Sequence, residues 1–309
     1  MTPSPLKTLA IVGIGLIGGS LARAAIANDL AERVVLFDQS EDVRSHAHSL
    51  ALGDVVGSLS ECVRDADMVI LCVPVGALGG IAQDMAPDLK PGAIVTDVGS
   101  VKAGPAAAMA AVLPDHVFLI PGHPIAGTER SGPDAGFATL FEDRWCILTP
   151  VGSDHPGYGE AVAQLTRFWK ALGSDVEVMD PKRHDLVLAV TSHLPHLIAF
   201  NIVSTAQDME EVTSGEVVSF SAGGFRDFTR IAASDPVMWR DVFLHNKYAV
   251  LEVLGRFSED LSVLARAIRW DDGETLETAF ARARGIRRSI IDAGQDSGVV
   301  NFGRDKPDT

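Results

Sequence analysis

The sequence predicts an α/β fold: a doubly wound, mainly parallel sheet, followed by an all-helical C-terminal region. Three observations carry this. An apolar strand pattern at residues 9–14 runs directly into Gly13-x-Gly15-x-x-Gly18 and then into a helical period. Strand-like and helix-like segments alternate from there to about residue 180. Between residues 181 and 295 no convincing strand pattern occurs.

The first unit is residues 10–38, AIVGIGLIGGSLARAAIANDLAERVVLFD. Gly13 permits a tight turn, Gly15 leaves room for a ligand to approach the backbone, and Gly18 allows the helix to pack closely on the strand. Leu16 and Ile17 open that helix, whose unpaired N–H groups and positive dipole end suit a pyrophosphate. A second strand, residues 34–37, ends on Asp38, twenty residues after Gly18. A carboxylate there accepts hydrogen bonds from both ribose hydroxyls and repels a 2′-phosphate, so the pattern is a Rossmann-type site for NAD rather than NADP.

A helix is then expected over residues 41–52, a weak strand at 54–56 and a short helix at 60–64. DMVILCV, residues 67–73, is a buried strand stopped by Pro74, followed by a helix over 76–88 and a strand over 93–98. An alanine-rich helix (105–112) leads to a strand (117–120) that ends in Pro121-Gly122-His123-Pro124. A long loop covers 125–141, and a strand (145–148), an amphipathic helix (158–172) and a strand (175–179) complete the dinucleotide-binding domain, residues 1–180. Beyond Asp180-Pro181, residues 181–309 are expected to form an all-helical domain with a polar, flexible tail at 296–309. Its first helix, 182–209, is interrupted by Pro195; Asp235-Pro236 is a strong helix start, and further helices cover 257–270 and 274–293.

The 309 residues suffice for two domains, and 47% hydrophobic with 22% charged residues is an ordinary globular profile. A net charge of −15 argues against nucleic acid and anionic membrane surfaces as partners. It also requires that an anionic ligand be drawn by a local cluster of Arg or Lys. Cys62, Cys72 and Cys146 are dispersed and odd in number, which reads as free thiols in a reducing cytoplasm. The N-terminus shows no signal-peptide core, and no apolar run looks long enough to cross a bilayer.

Ligands of an open parallel sheet bind beyond the carboxyl ends of its strands. Three segments fall there: Cys72-Val73-Pro74, Gly99-Ser100-Val101-Lys102 and Gly122-His123-Pro124, with Val73, Pro74 and Ser100 also positioned to touch the cofactor. His123, at a strand end and titrating near neutral pH, is the acid/base candidate. Ser100 orients a substrate hydroxyl or the nicotinamide, caps the following helix, or does both; Lys102 serves phosphate or substrate, or is simply solvated. Ser192 and His196 lie four apart beside Pro195, on one helix face, either as pocket residues or as part of a buried kink. Arg226 and Arg230, in a segment opened by Gly223 and Gly224, share a face if helical, and an arginine is the natural bidentate partner of a carboxylate. No His, Cys or Asp set has ligand spacing, so no metal centre is expected.

Together GIGLIGGS (13–20), DVGSVK (97–102), GHPIAGTE (122–129), SHLPH (192–196) and GGFRDFTRIAASDPVMWRD (223–241) resemble the prephenate/arogenate dehydrogenase family of tyrosine biosynthesis. The first motif is generic, and the last three are specific in combination. The resemblance implies a cytoplasmic homodimer, joined through its helical domain, that carries out NAD-dependent oxidative decarboxylation of prephenate to 4-hydroxyphenylpyruvate or of arogenate to tyrosine. It implies that His123 draws the proton from the ring hydroxyl while Ser100 helps orient hydroxyl and cofactor. It further implies that Arg230 pairs with a substrate carboxylate, that Ser192, His196, Trp239, Thr128 and Gly223 belong to the substrate pocket, and that Glu129 gates access. Neither a fused chorismate mutase nor a separate regulatory domain is expected, so any feedback by tyrosine is expected to act at the active site. Alternatives are a β-hydroxyacid-type dehydrogenase, opposed by SHLPH and GGFRDFTR, and a non-catalytic NAD-binding sensor, opposed by the joint presence of His123, Ser100 and Arg230.

Overall fold

The computed structural model describes residues 5–128, 130, 132–152, 154–213 and 223–292. Two expectations, a gating role for Glu129 and a flexible tail at 296–309, fall outside these residues. The chain divides into two compact units, one of Met1–His193 with Ala233–Ala249 and one of Leu194–Ala232 with Val250–Thr309.

The first unit is built on six parallel strands: β1 (Leu6–Val12), β2 (Ala31–Phe37), β3 (Asp54–Val55), β4 (Met68–Leu71), β5 (Ile94–Asp97) and β6 (Phe118–Leu119), in the order β3-β2-β1-β4-β5-β6. β1 sits between β2 and β4, with Ile11 opposite both Leu36 and Ile70, so the winding reverses at β1 and a crevice opens at its carboxyl end. Alternate residues of the central strands enter two separate cores. Leu9, Ile11, Met68 and Ile70 pack with α1 (Leu16–Ala27) on one face. Ala10, Val12, Val69 and Leu71 face Cys62 and Val63 of α3 (Leu59–Val63) and Leu78, Ala82 and Met85 of α4 (Leu78–Met85) on the other. α2 (Glu41–Ser49) follows β2, and α5 (Ala103–Ala110) follows β5.

One element departs from expectation. His123 does not hang from the end of the 117–120 strand. It is the central residue of its own strand, β7 (Gly122–Pro124), in a second, three-stranded sheet with β8 (Trp145–Leu148) and β9 (Asp175–Val178). His123 pairs antiparallel with Ile147, and Trp145 pairs parallel with Asp175. The ladder to β5 is donated by Phe118 N and Ile120 N, so Pro121 faces away from it, and its carbonyl accepts from Thr149 N at 2.8 Å, just past β8. The amphipathic α6 (Tyr158–Ala171) inserts Leu165, Phe168 and Trp169 into the first core.

Asp180 caps α7 (Pro181–Leu188) by accepting from Lys182 N and Arg183 N. A π-helical turn, Ala189–His193, joins α7 to α8 (Leu194–Thr213). The interruption expected at Pro195 is thus displaced upstream: the missing proline N–H is accommodated by a wider turn before it, and the helix continues through it. As a result the helical stretch Pro181–Met209 contains an 18-residue window of mean hydropathy 1.7, by length and composition apolar enough to cross a membrane, contrary to the sequence expectation. Contiguous-run counting missed it because polar residues punctuate it. Those residues, His184, Asp185 and His193, are buried and hydrogen-bonded inside the first unit.

Later helices are Gly223–Thr229, Pro236–His245, Lys247–Arg269 and Gly273–Asp292. Asp235 caps the second of these, accepting from Met238 N at 2.7 Å with Pro236 at the first helical position, as the sequence signals. The helix stops at Asn246, and this residue becomes important at the site.

Candidate active site

The glycine turn follows β1. Gly13 has φ +95°, and a Cβ there would lie 2.3 Å from the Cys72 carbonyl oxygen; a Cβ on Gly18 would lie 2.0 Å from the Gly13 oxygen. These two glycines are demanded by the packing of the turn on β4 and on itself. Gly15 is different: a Cβ there meets nothing within 4 Å, so the open space lies on the ligand side. Gly15 is the N-cap of α1 and offers no side-chain cap, and no acidic residue occupies the first turn. The Leu16–Ile17 turn therefore keeps its N–H groups for an anion. Asp38, at the end of β2, accepts from Ile14 N and Ser40 N, both at 2.9 Å, which fixes its carboxylate beside the turn. A dinucleotide fits these residues: Gly13–Gly18 would hold the pyrophosphate and Asp38 a ribose.

The strand-end segments converge as expected. Gly13 packs on Cys72 and Val73, and Gly99 approaches Val75, just past Pro74. Lys102 is the anchor between the 97–102 segment and β7. It is neither solvated nor turned towards a phosphate: it is fully buried, and its Nζ donates to Asp97 Oδ2 and, at 2.6 Å, to the Gly122 carbonyl. Burial pulls the Lys102 ammonium below its ordinary value, opposed by Asp97. Ser100 is half-buried and makes no side-chain hydrogen bond among the described residues. It does not cap α5; Asp185 does, accepting from Lys102 N at 2.8 Å and Ala103 N at 2.9 Å.

His123 is 8% exposed, and its Nδ1 lies 2.8 Å from Nε2 of His184. His184 Nδ1 lies 2.9 Å from Asp185 Oδ1. Burial first, and then the neighbouring His184, Lys102 and His193, hold His123 well below the ordinary histidine range. Burial also lowers His184, with Asp185 opposing. His123 is therefore neutral at pH 7 and able to accept a proton. Asn246 ties the cluster together: its Nδ2 donates to the Asp185 carbonyl at 2.8 Å and to His193 Nδ1 at 3.0 Å. Trp239, 6% exposed, stands edge-on to His193 with ring centroids 6.0 Å apart.

The remaining predicted residues are distributed as follows. Ser192 is half-buried in the π-helical turn of the first unit. Thr128 is exposed, accepts from Arg130 N at 3.2 Å and lines a cavity of about 340 Å³ with Ile125, Phe137 and Arg144. His196, Gly223 and Arg230 belong to the second unit: His196 is in the first turn of α8, and Gly223 opens the helix Gly223–Thr229. Arg230 is exposed and begins the 3₁₀ turn Arg230–Ala233, so Arg226 and Arg230 are not on one continuous helix. Sequence reasoning missed His184, Asp185 and Asn246. The signals available were an adjacent His-Asp pair at a helix start and an Asn breaking an apolar period.

A crevice with one part shaped for a pyrophosphate and the adjoining strand ends holding a neutral buried base defines a dinucleotide-dependent dehydrogenase. Within that class, two family models match: prephenate dehydrogenase, nucleotide-binding domain, over residues 21–178, and prephenate dehydrogenase, dimerization domain, over residues 180–282. The chain belongs to the prephenate dehydrogenase family. It is 44% identical to the cyclohexadienyl dehydrogenase of Zymomonas mobilis, over 92% of this chain and 96% of that one. It is 34% identical to the prephenate dehydrogenase of Bacillus subtilis, over 92% and 76%. Among solved structures it resembles Aquifex aeolicus prephenate dehydrogenase in complex with hydroxyphenyl propionate and NAD+, with a TM-score of 0.86 and 33% identity, covering 94% of this chain and 100% of that one.

Proposed function

We propose that this enzyme catalyses the NAD-dependent oxidative decarboxylation of prephenate to 4-hydroxyphenylpyruvate, of arogenate to tyrosine, or of both, in tyrosine biosynthesis. The observation that carries the reading is His123, a buried neutral histidine beside the strand ends that border the glycine turn. The 44% identity to a cyclohexadienyl dehydrogenase supports the substrate class.

The substrate ring is a cyclohexadiene carrying a carboxylate on one carbon and a hydroxyl on the opposite one. Bound NAD+ supplies the acceptor for the hydride on the hydroxyl-bearing carbon. His123 takes the hydroxyl proton as that carbon becomes a carbonyl. Loss of CO₂ then drives electrons through the ring to this oxygen, and His123 returns the proton to the phenolate. No net proton is consumed, and the ring becomes aromatic. A positioned base of this kind contributes about 10²–10⁴-fold. Ser100 orients the hydroxyl. Arg230 holds the ring carboxylate by charge-assisted hydrogen bonds, offsetting the repulsion expected from a net charge of −15. Ser192, His196, Trp239, Thr128 and Gly223 contribute to substrate binding, and Glu129 gates access.

The helical domain joins two copies into a cytoplasmic homodimer. Supporting this are the dimerization-domain match and a series of exposed apolar residues, Leu251, Leu261, Ile268, Phe280 and Ile286 on the helices Lys247–Arg269 and Gly273–Asp292, with Trp270 in the turn that joins them. The three free cysteines suit a reducing compartment.

The test is the initial rate of NADH formation with prephenate and arogenate in parallel, for the wild type and His123→Asn. Turnover of either substrate, with kcat lowered by about 10²-fold or more in the variant, is expected. No turnover of either by protein that still binds NAD refutes the reading.

A further inference from the structure

Asp185 can only accept, so the proton between it and His184 sits on His184 Nδ1. A neutral His184 then presents a bare Nε2. Across the 2.8 Å contact one hydrogen is shared, and it must come from His123 Nδ1. His123 Nε2, which makes no hydrogen bond among the described residues, is left with its lone pair. The opposite polarity would need His184 to be a cation, in a buried cluster already holding Lys102.

The chain of contacts is anchored at its far end. Asp185 cannot swing away, because its carboxylate accepts from Lys102 N and Ala103 N at the start of α5 and its carbonyl accepts from Asn246. We propose that His184 and Asp185 are positioning residues that hold His123 in the tautomer protonated at Nδ1, so that Nε2 is the atom that takes the substrate proton. Neither touches the reacting atoms; they act through His123. The inference rests on the reading of His123 as the base, and it makes a histidine–histidine–aspartate relay, anchored on the cofactor-side helix α5, the device that fixes which nitrogen works.

The experiment uses the full-length, NAD-loaded protein labelled with ¹⁵N-histidine. Long-range ¹H–¹⁵N spectra report which ring nitrogen is protonated, with His123 assigned by its loss in His123→Asn. The expected wild-type result is a protonated Nδ1 and a bare Nε2. His184→Gln, whose Oε1 can take the place of Nε2 as acceptor, should keep that tautomer and stay within about tenfold of wild-type kcat. His184→Leu should shift His123 towards Nε2–H and lower kcat by about 10²–10⁴-fold, with the KM values for NAD and substrate little changed. A wild-type His123 protonated at Nε2 overturns the proposal; so do equal kcat values for the Gln and Leu variants, or a kcat loss in His184→Leu without a tautomer change. If His184→Leu does not fold, the wild-type spectrum and His184→Gln still decide. Retained turnover in His123→Asn is a separate failure, that of the base assignment itself, and leaves the tautomer measurement standing.

Discussion

Lys102→Met should be among the most destabilising single substitutions in the first unit. Methionine fills nearly the same volume, so packing loss is small and the electrostatic consequence dominates. Lys102 and Asp97 are both fully buried, and Asp97 Oδ1 has no hydrogen-bond partner. Removing the ammonium leaves a buried carboxylate whose remaining bond is from Gly99 N, and strips the Gly122 carbonyl of its donor. Breaking a buried pair in this way costs about 3–5 kcal/mol, and an orphaned carbonyl adds about 1–3 kcal/mol. These overlap, so about 4–6 kcal/mol is expected, a large share of a typical domain's stability. Asp97→Asn in the Lys102→Met background should recover about 2 kcal/mol by removing the uncompensated charge. The contrast is the exposed Arg167–Glu160 pair, where Arg167→Ala should cost less than about 0.5 kcal/mol. Urea unfolding followed by tryptophan fluorescence, with Trp169 buried in the same unit, measures all four at one protein concentration. A Lys102→Met protein within about 1 kcal/mol of wild type would refute the reasoning.

Three further outcomes are expected. His123 and His184 are both held below the ordinary value of 6.5, so the unfolded chain takes up protons before the folded one as pH falls. Their contribution is complete above that value and is lost below it, by up to about 1.4 kcal/mol per pH unit for each histidine. A urea midpoint that stays flat between pH 7 and pH 5 would contradict this. Gly15→Ala should leave the melting temperature unchanged but weaken NAD about tenfold or more, whereas Gly18→Ala, with its Cβ 2.0 Å from the Gly13 oxygen, should lose about 3 kcal/mol of stability. Calorimetry and NAD titration separate the two, and matching behaviour would remove the distinct roles assigned to them. Arg230→Ala should lower kcat/KM by about 10–100-fold, chiefly through KM; an effect confined to kcat would argue against carboxylate binding.

Much of this was legible because it is local. The glycine turn, Asp38 and the Asp235-Pro236 helix start are patterns in which neighbouring residues do the work, and each adopts the geometry its spacing demands. Continuous apolar runs in β1 and β4 announced a sheet covered on both faces. His123 was legible as an acid/base candidate from its residue type and its Gly-Pro setting, although its strand was not, because after Pro121 the chain pairs with a partner 28 residues onward. Ser100 and Lys102 were ambiguous for a related reason: whether a side chain caps, binds or anchors depends on what faces it, and Asp185, the group that decided, is 83 residues away from Lys102.

The amino-acid sequence by itself determined the dinucleotide fold, the glycine turn with Asp38 beside it, the candidate status of His123 and the family. These depend on short-range spacing and residue chemistry. Only the tertiary structure decided that Lys102 is a buried anchor, that Asp185 caps α5, that Asn246 closes the cluster, and that His123 is backed by His184. Each of those rests on hydrogen bonds between groups 20 to 83 residues apart, formed because burial makes an unpaired polar group costly and so compels distant donors and acceptors to meet.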